Sequence, residues 1–200
     1  MKTTIINWLL VLFVSLSWGA SYMFTRIVVE EMPPSHLVSI RLLLAALLLG
    51  PIFINKEELV KMSKAIPFMM LLGIINAALP FFLFSWSAQE LSAGMLSILN
   101  GTQPLLALII AIALFRQNTT LLQIIGLFLG FIGLLIFIGL DEIQVIFFPV
   151  SLCLIGAFCY AYANNVLFKL NHIKSSALAS ATMLSGFIFS IPLFLSLIHI

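Results

Sequence analysis

The stretch Ile66–Trp86, IPFMMLLGIINAALPFFLFSW, contains 21 residues and no charged side chain. A helix needs about 20 predominantly apolar residues to cross the hydrocarbon core of a bilayer. A strand of a membrane barrel would alternate apolar and polar residues, whereas this run is continuously apolar. The stretch therefore predicts a transmembrane α-helix.

Six further apolar runs of this kind flank it along the chain. With them the sequence predicts seven membrane-spanning helices, at Ile5–Thr25, Leu37–Ile54, Ile66–Trp86, Leu91–Phe115, Leu121–Leu140, Val145–Phe168 and Ala177–Ile200. Hydrophobic residues make up 62% of the chain and charged residues 8%, against about 25% charged residues in a soluble domain. The predicted fold class is an all-α integral membrane protein.

The placement of lysine and arginine predicts the orientation in the membrane. With the N-terminus in the cytoplasm, the inside holds seven of the nine basic residues: Lys2, Lys56, Lys61, Lys64, Arg116, Lys169 and Lys174. We therefore expect a multi-pass protein of the bacterial inner membrane with a cytoplasmic N-terminus. The lipid bilayer is its predicted partner, and the dispersed net charge of +2 argues against nucleic acid.

An internal repeat becomes visible when the sequence is shifted by 141 residues. Ser35–Ile40 then meets Ser176–Ala181, and Pro51–Phe53 meets Pro192–Phe194. The repeated unit contains five helices, and because five is odd, the second copy enters the membrane in the opposite direction. Inverted repeats of this kind are typical of secondary transporters. The predicted domains are a first repeat over residues 5–140 and an incomplete second repeat over residues 145–200.

Two complete copies would need roughly 280 residues and ten helices. We therefore expect the 200-residue chain to be a C-terminally truncated fragment, unstable and inactive on its own. Its end, Leu195–Ile200, resembles read-through into a sequencing adapter, so His199 is not interpreted.

Several short motifs in this order resemble the opening of an EamA-type repeat of the drug/metabolite transporter superfamily. They are Trp18-Gly19-Ala20-Ser21-Tyr22, Arg26, Pro33-Pro34, Arg41, Ala88, Ser92-Ala93, Pro104, and Gln123 with Gly126. The resemblance implies a ten-helix carrier that moves small metabolites by alternating access, often amino acids or related compounds, and commonly outward. The corner Phe115–Asn118 departs from the family, because it lacks the acidic residue that often ends the fourth helix.

Polar side chains within the predicted spans are the candidates for a substrate cavity, since polar groups in hydrocarbon tend to face the bundle interior. Trp18, Ser21, Tyr22 and Thr25 follow the spacing i, i+3, i+4, i+7 and share one helix face. Such a face lines a cavity or packs against a neighbouring helix with its aromatic rings at the membrane interface.

Prolines accompany two further groups of polar residues, and a proline bends a helix and frees backbone carbonyls. These groups are Asn76 with Pro80, and Asn100 and Gln103 with Pro104. In the sixth predicted helix, Tyr160 and Asn164 share a face. The candidate cavity residues are Trp18, Ser21, Tyr22, Asn76, Asn100, Gln103, Tyr160 and Asn164. The alternative is hydrogen bonding between helices, which also uses Asn and Gln.

Two arginines lie near the predicted outer ends of the first two helices. Arg26 and Arg41 either extend toward lipid headgroups, pair with Glu30 or Glu31, or attract an anionic group of a substrate. The sequence leaves these three alternatives open.

Small residues predict close helix packing at two places. Gly126 and Gly130 form a GxxxG motif, which permits helices to approach within a bundle. It would also allow a homodimer, which nothing else in the sequence supports. Cys153 and Cys159 are six residues apart in an apolar run, and we interpret them as small packing residues.

Three other functions compete with a carrier of small molecules. A lipid carrier or flippase would share the architecture but would favour a groove open to lipid. An intramembrane enzyme needs a nucleophile with a base, or metal-binding acids and histidines, and no such motif is present. We therefore predict no catalytic residue, metal or cofactor. An accessory protein is disfavoured because the chain has almost no sequence outside its spans.

Overall fold

The computed structural model describes residues 2–53, 57, 60, 66–138, 143–167, 170 and 173–196. This part of the chain is helical, without strands, which confirms the predicted all-α class. Its seven helices are α1 (Lys2–Val28), α2 (Pro34–Phe53), α3 (Ile66–Ser87), α4 (Ala93–Ala113), α5 (Leu121–Ile138), α6 (Ile143–Leu167) and α7 (Ser175–Ser196). The charged loop at 54–65 lies mostly outside the described residues, as do the chain end at 197–200 and residues 139–142.

Five of these helices are long and apolar enough to cross a membrane: α1, α3, α4, α6 and α7. Helices α2 and α5 contribute the shorter apolar stretches Pro34–Gly50 and Leu121–Gly133. Helix α2 begins three residues before the predicted start, at Pro34. A proline fits the first turn of a helix because the N–H it lacks would have no partner there.

Helix α3 contains a π turn in its middle. Ile66–Gly73 and Leu79–Ser87 are α-helical, and Ile74–Ala78 forms the π turn between them. Pro80 follows this turn directly, and a proline ring excludes an α-helical bond to the carbonyl four residues earlier, which is that of Asn76. The widened turn accommodates the proline without ending the helix, and the N–H of Leu79 donates to the carbonyl of Ile74.

Helix α4 is divided by a break at Gly101 and Thr102. Its segments are Ala93–Asn100 and Gln103–Ala113, and Pro104 lies in the first turn of the second segment. The Thr102 side chain donates to the carbonyl of Leu99 at 2.6 Å, which gives one of the free carbonyls at the break a partner. The proline-associated distortions that the sequence predicts thus occur in both helices.

A side-chain cap begins helix α5. Thr120 Oγ1 accepts from the backbone N–H of Gln123 at 3.3 Å, and Gln123 Oε1 accepts from the backbone N–H of Thr120 at 2.8 Å. This reciprocal pair is a capping box, which satisfies two backbone donors at a helix start. The local role of Gln123 is therefore to fix where α5 begins.

Helix α6 lies at the centre of the bundle, against both α3 and α4, and α7 packs against α2 and α3. Helix α1 packs against the first segment of α4, and its outer side is largely exposed, with Trp8 at 70%. Helix α5 is also mostly exposed on its apolar side chains, for example Phe128. Such exposure suits a bilayer, whose hydrocarbon solvates apolar side chains.

Helices α2 and α7 form the most extensive helix pair and run antiparallel. Ser39 Oγ donates to the carbonyl of Ser190 at 3.2 Å, and Ser180 Oγ donates to the carbonyl of Leu49 at 2.9 Å. A shift of 141 residues converts Ser39 into Ser180 and Leu49 into Ser190, so it exchanges the two hydrogen bonds. The first residues of the two helices, Pro34 and Ser175, are separated by the same shift. The contact therefore has the symmetry of a two-fold axis between α2 and α7.

The symmetry predicts equal losses of stability for Ser39→Ala and Ser180→Ala. Each change removes one interhelical hydrogen bond, which is worth on average about 0.6 kcal/mol inside a membrane. We expect the double variant to lose about the sum, because the two bonds lie ten residues apart along α2, roughly 15 Å. Unfolding by SDS in mixed micelles measures these losses. Ser190→Ala is the control, since it keeps the accepting carbonyl; clearly unequal losses for Ser39→Ala and Ser180→Ala would contradict the symmetry.

Helices α3 and α7 cross at two glycines, with Gly73 against Gly186. A Cβ at Gly73 would lie 2.6 Å from the backbone nitrogen of Gly186, and one at Gly186 would lie 3.0 Å from the carbonyl oxygen of Gly73. In the GxxxG motif of α5, a Cβ at Gly130 would come within 2.8 Å of Leu105, whereas one at Gly126 would meet nothing within 4 Å. Close approach within the described bundle thus involves Gly130 and not Gly126.

Candidate functional site

A cavity of about 470 Å³ lies between helices α1, α2, α3, α4, α6 and α7. Seven of the eight candidate residues from the sequence line it: Trp18, Ser21, Tyr22, Asn76, Gln103, Tyr160 and Asn164. Its other lining residues are Phe13, Val14, Ser17, Thr25, Arg41, Phe81, Phe84, Ser85 and Met183. Six helices therefore bring side chains from distant parts of the sequence to one place.

Helix α1 supplies the predicted face of Trp18, Ser21, Tyr22 and Thr25. Trp18 Nε1 donates to Tyr22 Oη at 3.3 Å, one helical turn away, and Thr25 Oγ1 donates to the carbonyl of Ser21 at 2.8 Å. Tyr22 is buried, whereas Trp18 is 52% exposed. Asn164 on α6 is also exposed, so the cavity opens to its surroundings beside these two residues.

Three side-chain amides contribute hydrogen-bonding groups to the cavity: Asn76 from the π turn, Gln103 from the break in α4, and Asn164 from α6. The amides of Asn76 and Asn164 have no hydrogen-bond partner among the described residues. Asn100 does not line the cavity; its Oδ1 accepts from Nε2 of Gln103. Asn100 therefore orients Gln103, the residue that faces the cavity.

Arg41 points into the cavity, although its place in the sequence suggests the membrane surface. Its Nη1 donates to Thr25 Oγ1 at 3.2 Å, and its Nη2 donates to Ser21 Oγ at 3.0 Å. The guanidinium carbon lies 4.7 Å from the centre of the Phe81 ring. Arg26 instead pairs with Glu30 at 2.6 Å on the exposed surface, one of the alternatives that the sequence left open.

An aromatic wall adjoins these polar groups. Tyr22 contacts Phe84 with ring centres 5.8 Å apart, and Tyr160 contacts both Phe81 and Phe84 at 6.3 Å. The sequence gave no reason to select Phe81 or Phe84, because they lie in an uninterrupted apolar run. Their spacing from Pro80 and from the polar Ser85 is the one signal that could have indicated them.

Ser85 is a further lining residue that the sequence analysis missed. Its side chain is completely buried, at 0% exposed, and its Oγ has no hydrogen-bond partner within the described part of the protein. Buried hydroxyls are normally paired, so an unpaired one facing a cavity indicates a site for water or a polar ligand group.

Metal-binding side chains do not cluster in the described ranges, which contain no group of three or more His, Cys, Asp or Glu. Cys153 is buried and Cys159 half-buried, and both are free thiols. Cys153 belongs to the apolar core beside Leu96 and Leu99.

The sequence profile of the EamA-like transporter family matches residues 6–139 of the chain. The chain belongs to this family. Among curated proteins it is 28% identical over 127 residues to the uncharacterized transporter in the trpA 3′ region of Buchnera aphidicola subsp. Schlechtendalia chinensis, which covers 63% of the chain and 41% of that relative. It is 28% identical over 120 residues to Protein PagO of Salmonella typhimurium, covering 60% and 40% of the two chains. It is 26% identical over 141 residues to the uncharacterized inner membrane transporter YhbE of Escherichia coli, covering 68% and 44%. No solved structure matches the chain.

The part of this EamA-like protein that matches the family profile contains α1 to α5, and the cavity extends beyond it. Tyr160 and Asn164 on α6 and Met183 on α7 lie outside the matched range. The chain spans about two fifths of the length of the curated relatives that it matches, from 40% to 44%. The arginine of the cavity, Arg41, lies within the range that the profile matches.

Proposed function

We propose that this EamA-like protein is a secondary transporter of the bacterial inner membrane that moves small organic metabolites through the cavity by alternating access. The observation that carries this proposal is a cavity with unpaired polar groups among helices that are long and apolar enough to span a bilayer. Polar groups inside a membrane are costly and are typical of substrate pathways. The volume of about 470 Å³ is within the usual range for small-molecule sites.

The arrangement of α2 and α7 supports the alternating-access part of the proposal. Inverted repeats related by an axis in the membrane plane give a transporter two nearly equivalent packings, open to opposite sides. The reciprocal bonds of Ser39 and Ser180 have this symmetry. Residues 5–140 and 145–200 would then belong to two units of opposite orientation.

The proposed orientation, with the N-terminus in the cytoplasm, predicts which cysteine variants are labelled from outside the cell. In a background of Cys153→Ser and Cys159→Ser, we expect a membrane-impermeant maleimide to label Glu90→Cys on intact cells and to leave Glu57→Cys unlabelled. Glu57 and Glu90 are both exposed and lie beyond opposite ends of α3. After the cells are opened, both variants should react. Labelling of Glu57→Cys on intact cells would reverse the proposed orientation.

Flux through proteoliposomes tests the proposed function itself. The vesicles should exchange small organic metabolites, including amino acids and related compounds, faster than protein-free vesicles do. A headgroup-labelled lipid serves as the comparison. Movement of the lipid without movement of any soluble compound would favour a flippase, the alternative of similar architecture. Absence of flux for every compound in a correctly folded preparation would count against transport.

A further inference from the structure

We propose that the cavity is built for a monocarboxylate with an aromatic or branched apolar body, and that Arg41 binds the carboxylate. This inference names the substrate class of the proposed function and rests on it. It is carried by a juxtaposition: one arginine without a counter-ion, one unpaired buried hydroxyl and a continuous aromatic wall surround the same space.

The position of Arg41 excludes the bland alternative that it extends to lipid headgroups. It lies seven residues after the start of α2, about 10 Å along the helix axis. Its two terminal nitrogens bond inward, to Thr25 and Ser21 on α1. Phe81 packs beneath the guanidinium plane. These contacts fix the direction of the group but provide no negative charge.

The charge of Arg41 is unbalanced within the cavity. None of the lining residues is Asp or Glu, and the ion pair found among the described residues, Arg26–Glu30, lies on the exposed surface. A charge in a low-dielectric interior is costly unless it is paired. An anionic ligand would provide the missing partner, and a guanidinium binds a carboxylate with two parallel hydrogen bonds.

The rest of the ligand follows from the other walls. Phe81 and Ser85 are four residues apart on α3, so they share a face, and Ser85 Oγ offers an additional hydrogen bond on the same side as Arg41. Tyr22, Phe84 and Tyr160 line the adjoining wall, which suits an apolar or aromatic body. A single arginine balances one negative charge, so a carboxylate fits better than a phosphate monoester, which carries nearly two charges at neutral pH.

Fluorescence of Trp18, which lines the cavity, reports binding. The variant Trp8→Phe, Trp86→Phe leaves Trp18 as the single tryptophan, since the chain contains three, and neither replaced residue lines the cavity. In detergent we expect phenylacetate to bind at least about tenfold more tightly than phenylacetamide, which has the same shape without the charge. Phenyl phosphate should bind more weakly than phenylacetate.

Variants of arginine locate the effect. Arg41→Gln should abolish the preference for phenylacetate, Arg41→Lys should retain part of it, and Arg26→Gln, the matched control outside the cavity, should leave it unchanged. Equal affinities for phenylacetate and phenylacetamide, failure of both to bind, or a preference that survives in Arg41→Gln would each overturn the inference. Should Arg41→Gln not fold, the comparison of the two ligands and the Arg41→Lys variant decide.

The inference and the proposed function fail in different ways. Flux of neutral compounds without any preference for monocarboxylates would leave the transporter proposal standing and remove the assignment of Arg41. Preferential binding of phenylacetate without flux of any compound would keep the binding site and overturn transport.

Discussion

Gly73→Ala is expected to destabilise the protein severely, by about 3 kcal/mol, at the upper end of the range for overpacked cores. The added Cβ would lie 2.1 Å from Ser185 Oγ and 2.6 Å from the backbone nitrogen of Gly186. The serine cannot turn away freely, because its Oγ donates to the carbonyls of Ala181 at 2.6 Å and Met69 at 3.1 Å. Helices α3 and α7 must therefore separate, and the separation can be measured by SDS unfolding in mixed micelles and by size-exclusion chromatography.

Two glycines of α5 provide matched controls for Gly73→Ala. Gly126→Ala should have almost no effect, since its Cβ would meet nothing within 4 Å. Gly130→Ala should have an intermediate effect, because the atom it meets at 2.8 Å is the tip of the Leu105 side chain, which can move. If Gly73→Ala unfolded no more readily than Gly126→Ala, the close crossing of α3 and α7 would be wrong.

Ser17→Trp is expected to reduce the proposed flux to the level of protein-free vesicles while the protein remains folded. Ser17 lines the cavity from α1, and an indole at this position would occupy space that a substrate needs. Its side chain is exposed and α1 packs mainly against the first segment of α4, so the larger residue displaces little of the core. Flux into proteoliposomes, normalised to the amount of folded protein, measures the effect.

The neighbouring residue supplies the control for this block. Leu16 is 65% exposed and does not line the cavity, so Leu16→Trp should retain flux. Equal flux in Ser17→Trp and the parent protein would mean that substrates do not pass through this cavity. Equal loss in both variants would point to a general effect of tryptophan on α1.

The helices were predictable because each span produces a local signal. A run of about 20 apolar residues has few alternatives to a membrane helix. The grouping of Trp18, Ser21 and Tyr22 was also predictable, because a polar face at helical spacing points toward the interior of a bundle. Pro80 indicated a distortion near Asn76, which the structure contains as a π turn.

The remaining features arise between distant segments and leave no local trace. Gly73 and Gly186 contact each other although more than 100 residues separate them, and each looks alone like an ordinary helical glycine. Arg41 lies close enough to a helix end to suggest the membrane surface, and only the positions of Ser21 and Thr25 turn it inward. Asn100 was selected for its polarity, yet its partner is Gln103.

The exchange symmetry of α2 and α7 has a consequence for energetics. The two serine bonds lie toward opposite ends of the antiparallel pair. A tilt that parts the helices at one end breaks one serine contact and preserves the other, while the opposite tilt does the reverse. Both tilted forms thus forfeit the same interaction, and this contact alone favours neither direction. A net direction of movement would have to come from concentrations across the bilayer or from side chains that the symmetry does not duplicate, of which Arg41 is one, since Thr182 stands at the corresponding position.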